Sequence, residues 1–237
     1  MKYTENRVFL SMDKIVLLHT VPIFRDLSDK DVIAISDKMV SRSYSQGQMI
    51  LLEEAMGETF FVIAGGSVKI TRLSEDGREV ILAMLGEGDF FGEMSLLDGG
   101  GRSANVVALE EAEVLTLARN DFLDILQKFP KIAISFLEEL ALRLRKSNQQ
   151  IESLSLSDVE HRIGMTLVRL SEELGKIKNG NVNIYNLPYQ QDIANMAGTS
   201  RETVSRTFSL LEEKGLVKRD GRNLTIFDYS AFCRVFA

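Results

Sequence analysis

Residues Pro130–Leu156 read PKIAISFLEELALRLRKSNQQIESLSL, and this stretch decides how the rest of the chain is organised. Its apolar residues recur in steps of three and four, a spacing that predicts one long helix with a heptad seam. Pro130 suits the first helical turn, and the next 26 residues contain neither glycine nor proline. At about 1.5 Å per residue the helix would span roughly 40 Å. The predicted seam, which requires a partner helix, consists of Ala133, Leu137, Leu140, Leu144, Ile151 and Leu154, with Ser147 in the gap.

Two polar residues, Ser147 and Asn148, lie where this seam should be driest. A polar seam residue specifies register and helix number in some coiled coils. The other possibility is that these side chains contact a ligand. The seam alone favours the first interpretation, and the motifs described below favour the second.

The composition is that of a folded chain. Its 237 residues, of which 45% are hydrophobic, have room for one large or two ordinary domains. No apolar run approaches ~18 residues and MKYTENRVFL lacks signal-peptide features, so we expect a cytoplasmic protein with no membrane partner. Cys233, the only cysteine, supplies with His19 and His161 too few ligands for a metal site or an iron–sulfur cluster. We expect neither of these and no haem, although a single histidine is enough to ligate haem.

Charge is distributed unevenly along the chain. The net charge is −6, yet from Pro188 onward seven basic residues stand against six acidic ones. The basic residues of this tail cluster at 201–206 and 218–222. An acidic body and a more basic tail suggest two domains with different partners.

The first half of the chain changes from a helical to a strand-like pattern near Tyr44. Residues 1–14 are expected to form a loose arm, and Ser28 is the predicted N-cap of a helix that begins near Asp29. Short apolar runs then recur every 8–12 residues or so, which indicates an antiparallel sandwich or jelly roll with a hairpin at Asp76-Gly77. The predicted strands are Met49–Leu52, Thr59–Ile63, Ser67–Leu73, Glu79–Leu85, Asn105–Leu109 and Glu113–Leu117.

The second half predicts a winged helix. Ser157-Asp158 offers an N-cap for a helix that should end at Gly175, and the polar loop KIKNGN follows. Two short helices joined by a glycine-containing turn are the helix-turn-helix arrangement, and a hairpin around Asp220-Gly221 would be its wing. The predicted elements are the strand Val182–Leu187, the helices Tyr189–Met196 and Ser200–Lys214, and the hairpin strands Leu216–Lys218 and Leu224–Asp228.

The densest motif is FFGEMSLLDGGGRSA, from Phe90 to Ala104. It fits neither a dinucleotide fingerprint, a Walker loop nor a nucleophile elbow. Gly92 allows close approach of the backbone to a ligand, Gly92–Met94 can open a short helix with free N–H groups, and Arg102 supplies a positive fork. Glu93 would repel a phosphate, so it needs a hydroxyl as its target. The motif therefore indicates a sugar-phosphate site, and the alternative is a tight turn with a surface Glu–Arg pair.

This motif resembles the phosphate-binding cassette of cyclic-nucleotide-binding domains. Over residues 15–230 the chain is similar to the CRP/FNR family of bacterial transcription regulators. The resemblance implies that Glu93 binds the ribose 2′-hydroxyl and that Arg102 and Ser103 bind the cyclic phosphate, helped by the N–H groups of Gly92 and Ala104. Met94 belongs to the same predicted effector site.

The resemblance also gives the polar pair in the long helix a role. Ser147 and Asn148 align with the residues that contact adenine in cyclic AMP receptors, one from each subunit. Two departures concern the effector rather than the fold: Glu54-Ala55-Met56 replaces the usual acidic residue and glycine, and the polar pair is not led by threonine.

Residues Ser200–Arg206, SRETVSR, closely resemble the recognition helix of the family. Arginine pairs with guanine and glutamate accepts from cytosine, so Arg201, Glu202 and Arg206 imply a palindrome with TGTGA-like half-sites. Val204, Phe208 and Leu211 should face the domain core. Phosphate contacts are assigned to Thr203, Ser205, Lys218 and Arg222, with Ser200 at the start of the helix. The alternative is an ordinary exposed helix with mixed charges.

The sequence thus predicts an α+β protein with a cyclic-nucleotide-binding jelly roll over 1–129, a dimerisation helix over 130–156 and a winged helix-turn-helix over 157–237. The predicted function is a homodimeric transcription factor controlled by cyclic AMP through a hinge near Ser153–Asp158. Its expected partners are double-stranded DNA and RNA polymerase. Two alternatives are a family member with another effector or none, and a nucleotide sensor acting on a protein partner. An enzyme is the least supported, since the sequence contains no nucleophile–base pair or metal cluster.

Overall fold

The structure is a computed structural model and describes residues 14–236. Contacts within it define two units, the first ending at Arg145 and the second beginning at Lys146. The boundary falls inside the long helix, and each unit is described separately below. The arm predicted over residues 1–14 lies outside the described residues except for Lys14, which is helical.

The first unit begins with residues 14–20 in a helix and a 3₁₀ turn at Pro22–Phe24. Ser28 caps the next helix as predicted, since its side chain accepts a hydrogen bond from the amide of Asp31. The elements that follow are α1 (Asp29–Ser36), β1 (Val40–Tyr44), β2 (Met49–Leu51), β3 (Thr59–Gly65), β4 (Val68–Leu73), β5 (Glu79–Leu85), β6 (Phe90–Phe91), α2 (Met94–Asp98), β7 (Asn105–Ala108), β8 (Ala112–Ala118) and α3 (Arg119–Lys128).

The strands of this unit form two four-stranded antiparallel sheets, ordered β1-β8-β3-β6 and β2-β7-β4-β5. The side chains of β3 alternate between its two faces, and each face packs into a separate core. Phe60 and Val62 join a core with the helices, whereas Phe61 and Ile63 join a core with residues of the second sheet. The jelly roll predicted from short strands with turns between them is confirmed. β1 was not predicted, because its largely polar sequence has no apolar alternation and its pairing with β8 defines it.

The long helix, α4, runs from Pro130 to Leu156, the bounds that the sequence predicted. Its inner face packs on the first core through Ile132 and Phe136, and Leu140 also packs there. The predicted seam is therefore wrong at Leu140, because α4 carries two apolar faces and the spacing alone mixes them.

The second apolar face of α4 is solvent-exposed. Its large residues Ile134, Leu137, Leu144 and Ile151 are 57–65% exposed. With the exposed residues Ala141, Asn148 and Ser155 they advance in alternating steps of three and four, and we call this set the exposed seam. Asn148, rather than Ser147, occupies the gap between Leu144 and Ile151.

The second unit is built on α5, which Asp158 caps as predicted. Its elements are α5 (Val159–Leu174), β9 (Gly175–Lys178), β10 (Asn181–Ile184), α6 (Gln190–Ala197), α7 (Arg201–Glu213), β11 (Val217–Asp220), β12 (Asn223–Ile226) and α8 (Tyr229–Phe236). The strands form one sheet in the order β11-β12-β10-β9. The predicted helix-turn-helix and wing are confirmed.

The polar loop predicted over KIKNGN is wrong. Gly175–Lys178 pairs with β10 in a hairpin whose two turn residues, Asn179 and Gly180, have φ values of 52° and 79°. Positive φ at both positions is the requirement of a type I′ turn, for which Asn-Gly is the preferred sequence. Asn179-Gly180 was therefore a hairpin signal, which the polar composition of the surrounding segment led us to interpret as a loop.

Helix α8 was not predicted and packs on α5 through a glycine notch. Phe232 and Phe236 are buried, and a Cβ atom on Gly164 would lie 2.2 Å from Cδ1 of Phe236. Gly164 lies in the middle of α5, where glycine lowers helix stability by roughly 1 kcal/mol relative to alanine. Close packing of the Phe236 ring explains why glycine is present there.

Within residues 14–236, no helix is both long and apolar enough to cross a membrane. The same residues contain no group of three or more His, Cys, Asp or Glu side chains placed to hold a metal ion.

Candidate functional site

The predicted cassette is a strand, a short helix and a returning loop. β6 ends at Phe91, Gly92 has a φ of 82°, and α2 begins at Met94. A Cβ atom on Gly92 would lie 2.9 Å from Nη1 of Arg102 and 3.1 Å from the carbonyl oxygen of Thr59. Gly92 thus permits a close approach to Arg102, in addition to the left-handed conformation that favours glycine.

Arg102 is buried beneath this loop, with 5% of its surface exposed. Its Nη1 donates to the carbonyl oxygen of Gly92 at 2.6 Å and to Oγ of Ser95 at 2.9 Å, and its Nη2 donates to the carbonyl oxygen of Thr59 at 2.9 Å. Burial lowers the pKa of Arg102, and the nearby Glu93 carboxylate raises it in part. The guanidinium lies so close to Gly57 that a Cβ there would be 1.9 Å from Nε.

Glu93 is also buried, and its nearest cation is an arginine that the sequence analysis missed. Nη1 of Arg143 lies 3.4 Å from Oε1 of Glu93, and Nη2 donates to the carbonyl oxygen of Phe90 at 2.8 Å. The Arg143 guanidinium also lies over the Phe90 ring, 4.2 Å from its centroid. A signal for it existed: Arg143 lies on the inner face of α4 and follows Glu139 by four residues, the spacing of an ion pair along a helix.

The remaining predicted effector residues differ in exposure. Met94 and Ser103 are exposed, and Oγ of Ser103 lies 3.4 Å from Sδ of Met94, whereas Ala104 is buried. One loop and one short helix therefore bring together the cassette residues from Gly92 to Ala104. Ser147 and Asn148 belong to the second unit, where both are exposed on α4.

The predicted recognition helix is α7. Ser200 caps it, since its Oγ accepts the amide hydrogen of Thr203 at 3.2 Å. The core positions predicted for this helix, Val204, Phe208 and Leu211, are fully buried. The opposite face exposes Arg201, Glu202, Ser205 and Arg206 on the first two turns.

Polar contacts order the start of this exposed face. Nη2 of Arg206 donates to Oγ1 of Thr203 at 3.2 Å, and the Ser200 and Thr203 hydroxyl oxygens lie 3.1 Å apart. Hydrogen bonds from its own amide and from Ser200 lower the pKa of Glu202, with smaller contributions from Arg201 and Arg206. Glu202 is therefore a carboxylate, the form that accepts hydrogen bonds.

The wing carries three basic residues whose surroundings differ. Arg219 forms an ion pair with Glu212 at 2.7 Å and lies over the Phe208 ring, so its charge is compensated. Lys218 is exposed and pairs with no carboxylate within residues 14–236. Arg222 is exposed and bonds to backbone carbonyl groups of the segment before α6.

Comparison with known proteins agrees with both halves of this architecture. Residues 41–129 match the cyclic nucleotide-binding domain, and residues 161–235 match the Crp-like helix-turn-helix domain. The chain is 36% identical over 197 residues to the cyclic AMP receptor protein of Thermus thermophilus, covering 83% of this chain and 88% of that protein.

Two solved structures share the fold at lower identity. FixK2 from Bradyrhizobium japonicum matches with a TM-score of 0.75 at 23% identity, over 84% of this chain and 98% of that one. The c-di-GMP responsive regulator CLP of Xanthomonas campestris matches with a TM-score of 0.72 at 23% identity, over 84% of this chain and 99% of that one.

A jelly roll that matches the cyclic nucleotide-binding domain, followed by a long helix and a winged helix-turn-helix, defines the class of DNA-binding transcription regulators that carry such a domain. Within that class, the chain belongs to the CRP/FNR family.

Proposed function

We propose that this regulator binds DNA as a homodimer at a TGTGA-like palindrome and that cyclic AMP in the jelly roll controls the binding. The observation that carries the DNA-binding part is the first two turns of α7. There Arg201, Glu202 and Arg206 are exposed above a buried apolar face, in the part of a recognition helix that reaches base edges.

The charges of the second unit also support DNA binding by this surface. Arg201, Arg206, Lys218 and Arg222 form no ion pair with a carboxylate among the described residues, whereas Lys214 and Arg219 do. Cations that no carboxylate of the described residues compensates are available to neutralise phosphates. The two arginines of α7 would read guanines, and Lys218 and Arg222 would fix the register through the backbone together with Thr203 and Ser205.

The cassette supplies groups of the right chemistry for a cyclic nucleotide. Glu93 would accept from the ribose 2′-hydroxyl, and Arg102, Ser103 and the amides of Gly92 and Ala104 would donate to the cyclic phosphate. Arg102 already donates to three protein oxygens, so the phosphate must replace at least one of them or bind beside them. The name of the Thermus thermophilus relative supports cyclic AMP as the effector.

The exposed seam of α4 is the proposed dimer interface. Four large residues of this face are 57–65% exposed, and contact between such an apolar face and water is unfavourable. Covering the face with another surface would therefore stabilise the protein. A second copy of the same helix fits the heptad spacing. We propose that Asn148 of the seam and the adjacent Ser147 contact the base of the effector, one from each subunit. RNA polymerase is the further partner that the family membership suggests.

A second candidate keeps the DNA-binding part and changes the effector. The burial of Arg102 favours it, because this residue is only 5% exposed and three of its five N–H groups already donate to protein oxygens. The c-di-GMP response named for the Xanthomonas campestris structure shows that this fold serves another nucleotide in that protein. A third candidate, a nucleotide sensor acting on a protein partner, predicts no DNA binding.

The deciding experiment is fluorescence anisotropy of a labelled TGTGA-N6-TCACA duplex titrated with the protein at fixed salt, with cyclic AMP, with c-di-GMP and with neither. Tighter binding with cyclic AMP alone supports the proposal. Equal specific binding under all three conditions retains the DNA-binding regulator and removes both nucleotides as effectors. Absence of binding to any duplex contradicts the proposal and favours the sensor.

Two variants separate the sites. Ser103→Ala removes an exposed hydroxyl and should weaken cyclic AMP binding about tenfold while leaving DNA binding without effector unchanged. Arg206→Ala should remove the preference for the palindrome over a scrambled duplex, at a cost of about 1–3 kcal/mol, and leave cyclic AMP binding unchanged.

A further inference from the structure

The turn of the wing is fastened to the segment that leads into the helix-turn-helix. Nε and Nη2 of Arg222 donate to the carbonyl oxygen of Leu187 at 3.2 and 3.1 Å, and Nη2 also lies 3.4 Å from that of Asn186. In return, the Leu187 amide donates to the carbonyl oxygen of Arg222 at 2.7 Å. The Arg222 guanidinium also lies over the ring of Tyr189, 4.6 Å from its centroid. These contacts hold the Arg222 guanidinium in one orientation.

The Arg222 guanidinium has N–H groups that remain available to bind a ligand. Nη1 of Arg222 donates to no group in the described part of the chain, and no described carboxylate forms an ion pair with it. Tyr189 is 59% exposed, and its hydroxyl has no hydrogen-bond partner within residues 14–236. A fixed, uncompensated guanidinium with outward N–H groups is suited to an anionic oxygen.

We propose that Tyr189 and Arg222 form a stacked pair that binds one DNA phosphate. In this proposal Arg222 contacts the phosphate and Tyr189 positions its guanidinium from below. The proposal rests on the proposed function. It is consistent with the placement of Tyr189 at the N-cap of α6, because the first helix of a helix-turn-helix crosses the DNA backbone.

The opposing interpretation is that the pair only joins the wing to the motif. In that case the stack would contribute to the stability of the second unit and not to DNA binding. The charges of the wing argue against this interpretation. Arg219 is already paired with Glu212 there, whereas Arg222 makes its contacts only to neutral groups and keeps its full charge.

The test measures anisotropy of the palindromic duplex and of a scrambled duplex from about 50 to 200 mM salt. Arg222→Gln should weaken binding to both duplexes by the same factor, roughly five- to tenfold at low salt, and reduce the salt slope by about one. Tyr189→Leu should weaken both about two- to fivefold, because the stack is lost. Tyr189→Phe, which keeps the ring, should stay within about twofold of wild type.

The matched control is Tyr185→Leu, which removes a tyrosine of 58% exposure that no arginine covers, and it should change nothing. Arg222→Lys keeps the charge without the planar stack, so it should retain the salt slope and lose affinity. Thermal unfolding of each variant shows whether it is folded. Unchanged binding by folded Arg222→Gln, or equal loss from Tyr189→Leu and Tyr185→Leu, would overturn the proposal. Failure of the wild-type protein to bind either duplex would instead overturn the proposed function.

Discussion

At Arg102, a cation is almost entirely removed from water and held by three oxygen atoms of its own domain. Buried oxygen atoms that lose their donor bear a desolvation cost of about 1–3 kcal/mol each. The side chain therefore stabilises the cassette whether or not it also binds a phosphate. A loss of effector response on mutation of Arg102 would not by itself identify a ligand contact.

The first prediction follows from those three oxygens. Arg102→Ala should lower the free energy of unfolding of the first unit by about 3 kcal/mol, because the oxygens of Gly92, Thr59 and Ser95 lose their donor. Urea denaturation measures this change. Ser103→Ala, next to it but exposed, should stay within about 0.5 kcal/mol of wild type. Equal stabilities for the two variants would show that Arg102 has no structural role.

The second prediction concerns pH at Glu202. Hydrogen bonds from its own amide and from Ser200 hold its pKa below the ordinary value of 4.5. Because the folded-state pKa is lowered, the contribution of the carboxylate to stability is complete above pH 4.5 and is lost as the pH falls through the lowered pKa. A carbon-13 NMR titration should give a midpoint below 4.5, and the stability difference between wild type and Glu202→Gln should disappear in acid. A midpoint at or above 4.5 would contradict the capping geometry.

At the scale of single elements, α4 shows both the strength and the limit of sequence reasoning. Its ends were predictable, because Pro130 fits a first turn and no helix breaker follows it. Which of its apolar residues face the core was not, because Leu140 and Leu144 satisfy the same spacing and only the position of the jelly roll distinguishes them. Arg143 was missed for the same reason, since its role depends on Glu93, fifty residues earlier in the chain.

The third prediction compares two exposed leucines of this helix, one in the exposed seam and one outside it. Leu144→Glu should dissociate the proposed homodimer, raising its dissociation constant at least about 100-fold, because it places a charge in the exposed seam. Analytical ultracentrifugation measures the change. Leu142 is similarly exposed, at 55% against 62%, but lies outside the seam, so Leu142→Glu should leave the dimer intact. Equal effects of the two substitutions would place the interface elsewhere.

Among the other elements, those with strong local signals were found and those defined by their neighbours were not. Strands β3 to β5 have apolar runs and turn residues, and the start of α7 has a capping serine and a buried stripe. β1 and the two-residue β6 lack such signals and exist because β8 and β3 pair with them. The cassette residues were predictable as a set, but the inward orientation of Arg102 depends on Gly57, which is distant in sequence.

For the whole molecule, the net charge of −6 is unevenly distributed, because the residues from Pro188 onward carry one more basic than acidic side chain. The described chain forms two units, one with the cassette and one with the recognition helix. Control of DNA binding by an effector means a coupling free energy between these sites. Such coupling is reciprocal for equilibrium binding, whatever the path that carries it.

The fourth prediction tests that reciprocity. If cyclic AMP tightens binding to the palindrome by some factor, typically about 5–150, the palindrome must tighten cyclic AMP binding by the same factor. Calorimetric titration of cyclic AMP with the palindromic and the scrambled duplex present measures the second factor. Unequal factors under identical salt and protein concentration would mean that the two titrations report different assembly states.

The notch between α5 and α8 has a consequence for how this sequence can drift over evolutionary time. Because the Phe236 ring occupies the space that a Cβ on Gly164 would need, neither position is free to change alone. Alanine at 164 would favour the helix but displace the ring, and a smaller residue at 236 would leave a void beside the glycine. Aligned relatives should therefore show paired substitution at these two sites, with larger residues at 164 accompanied by smaller ones at 236.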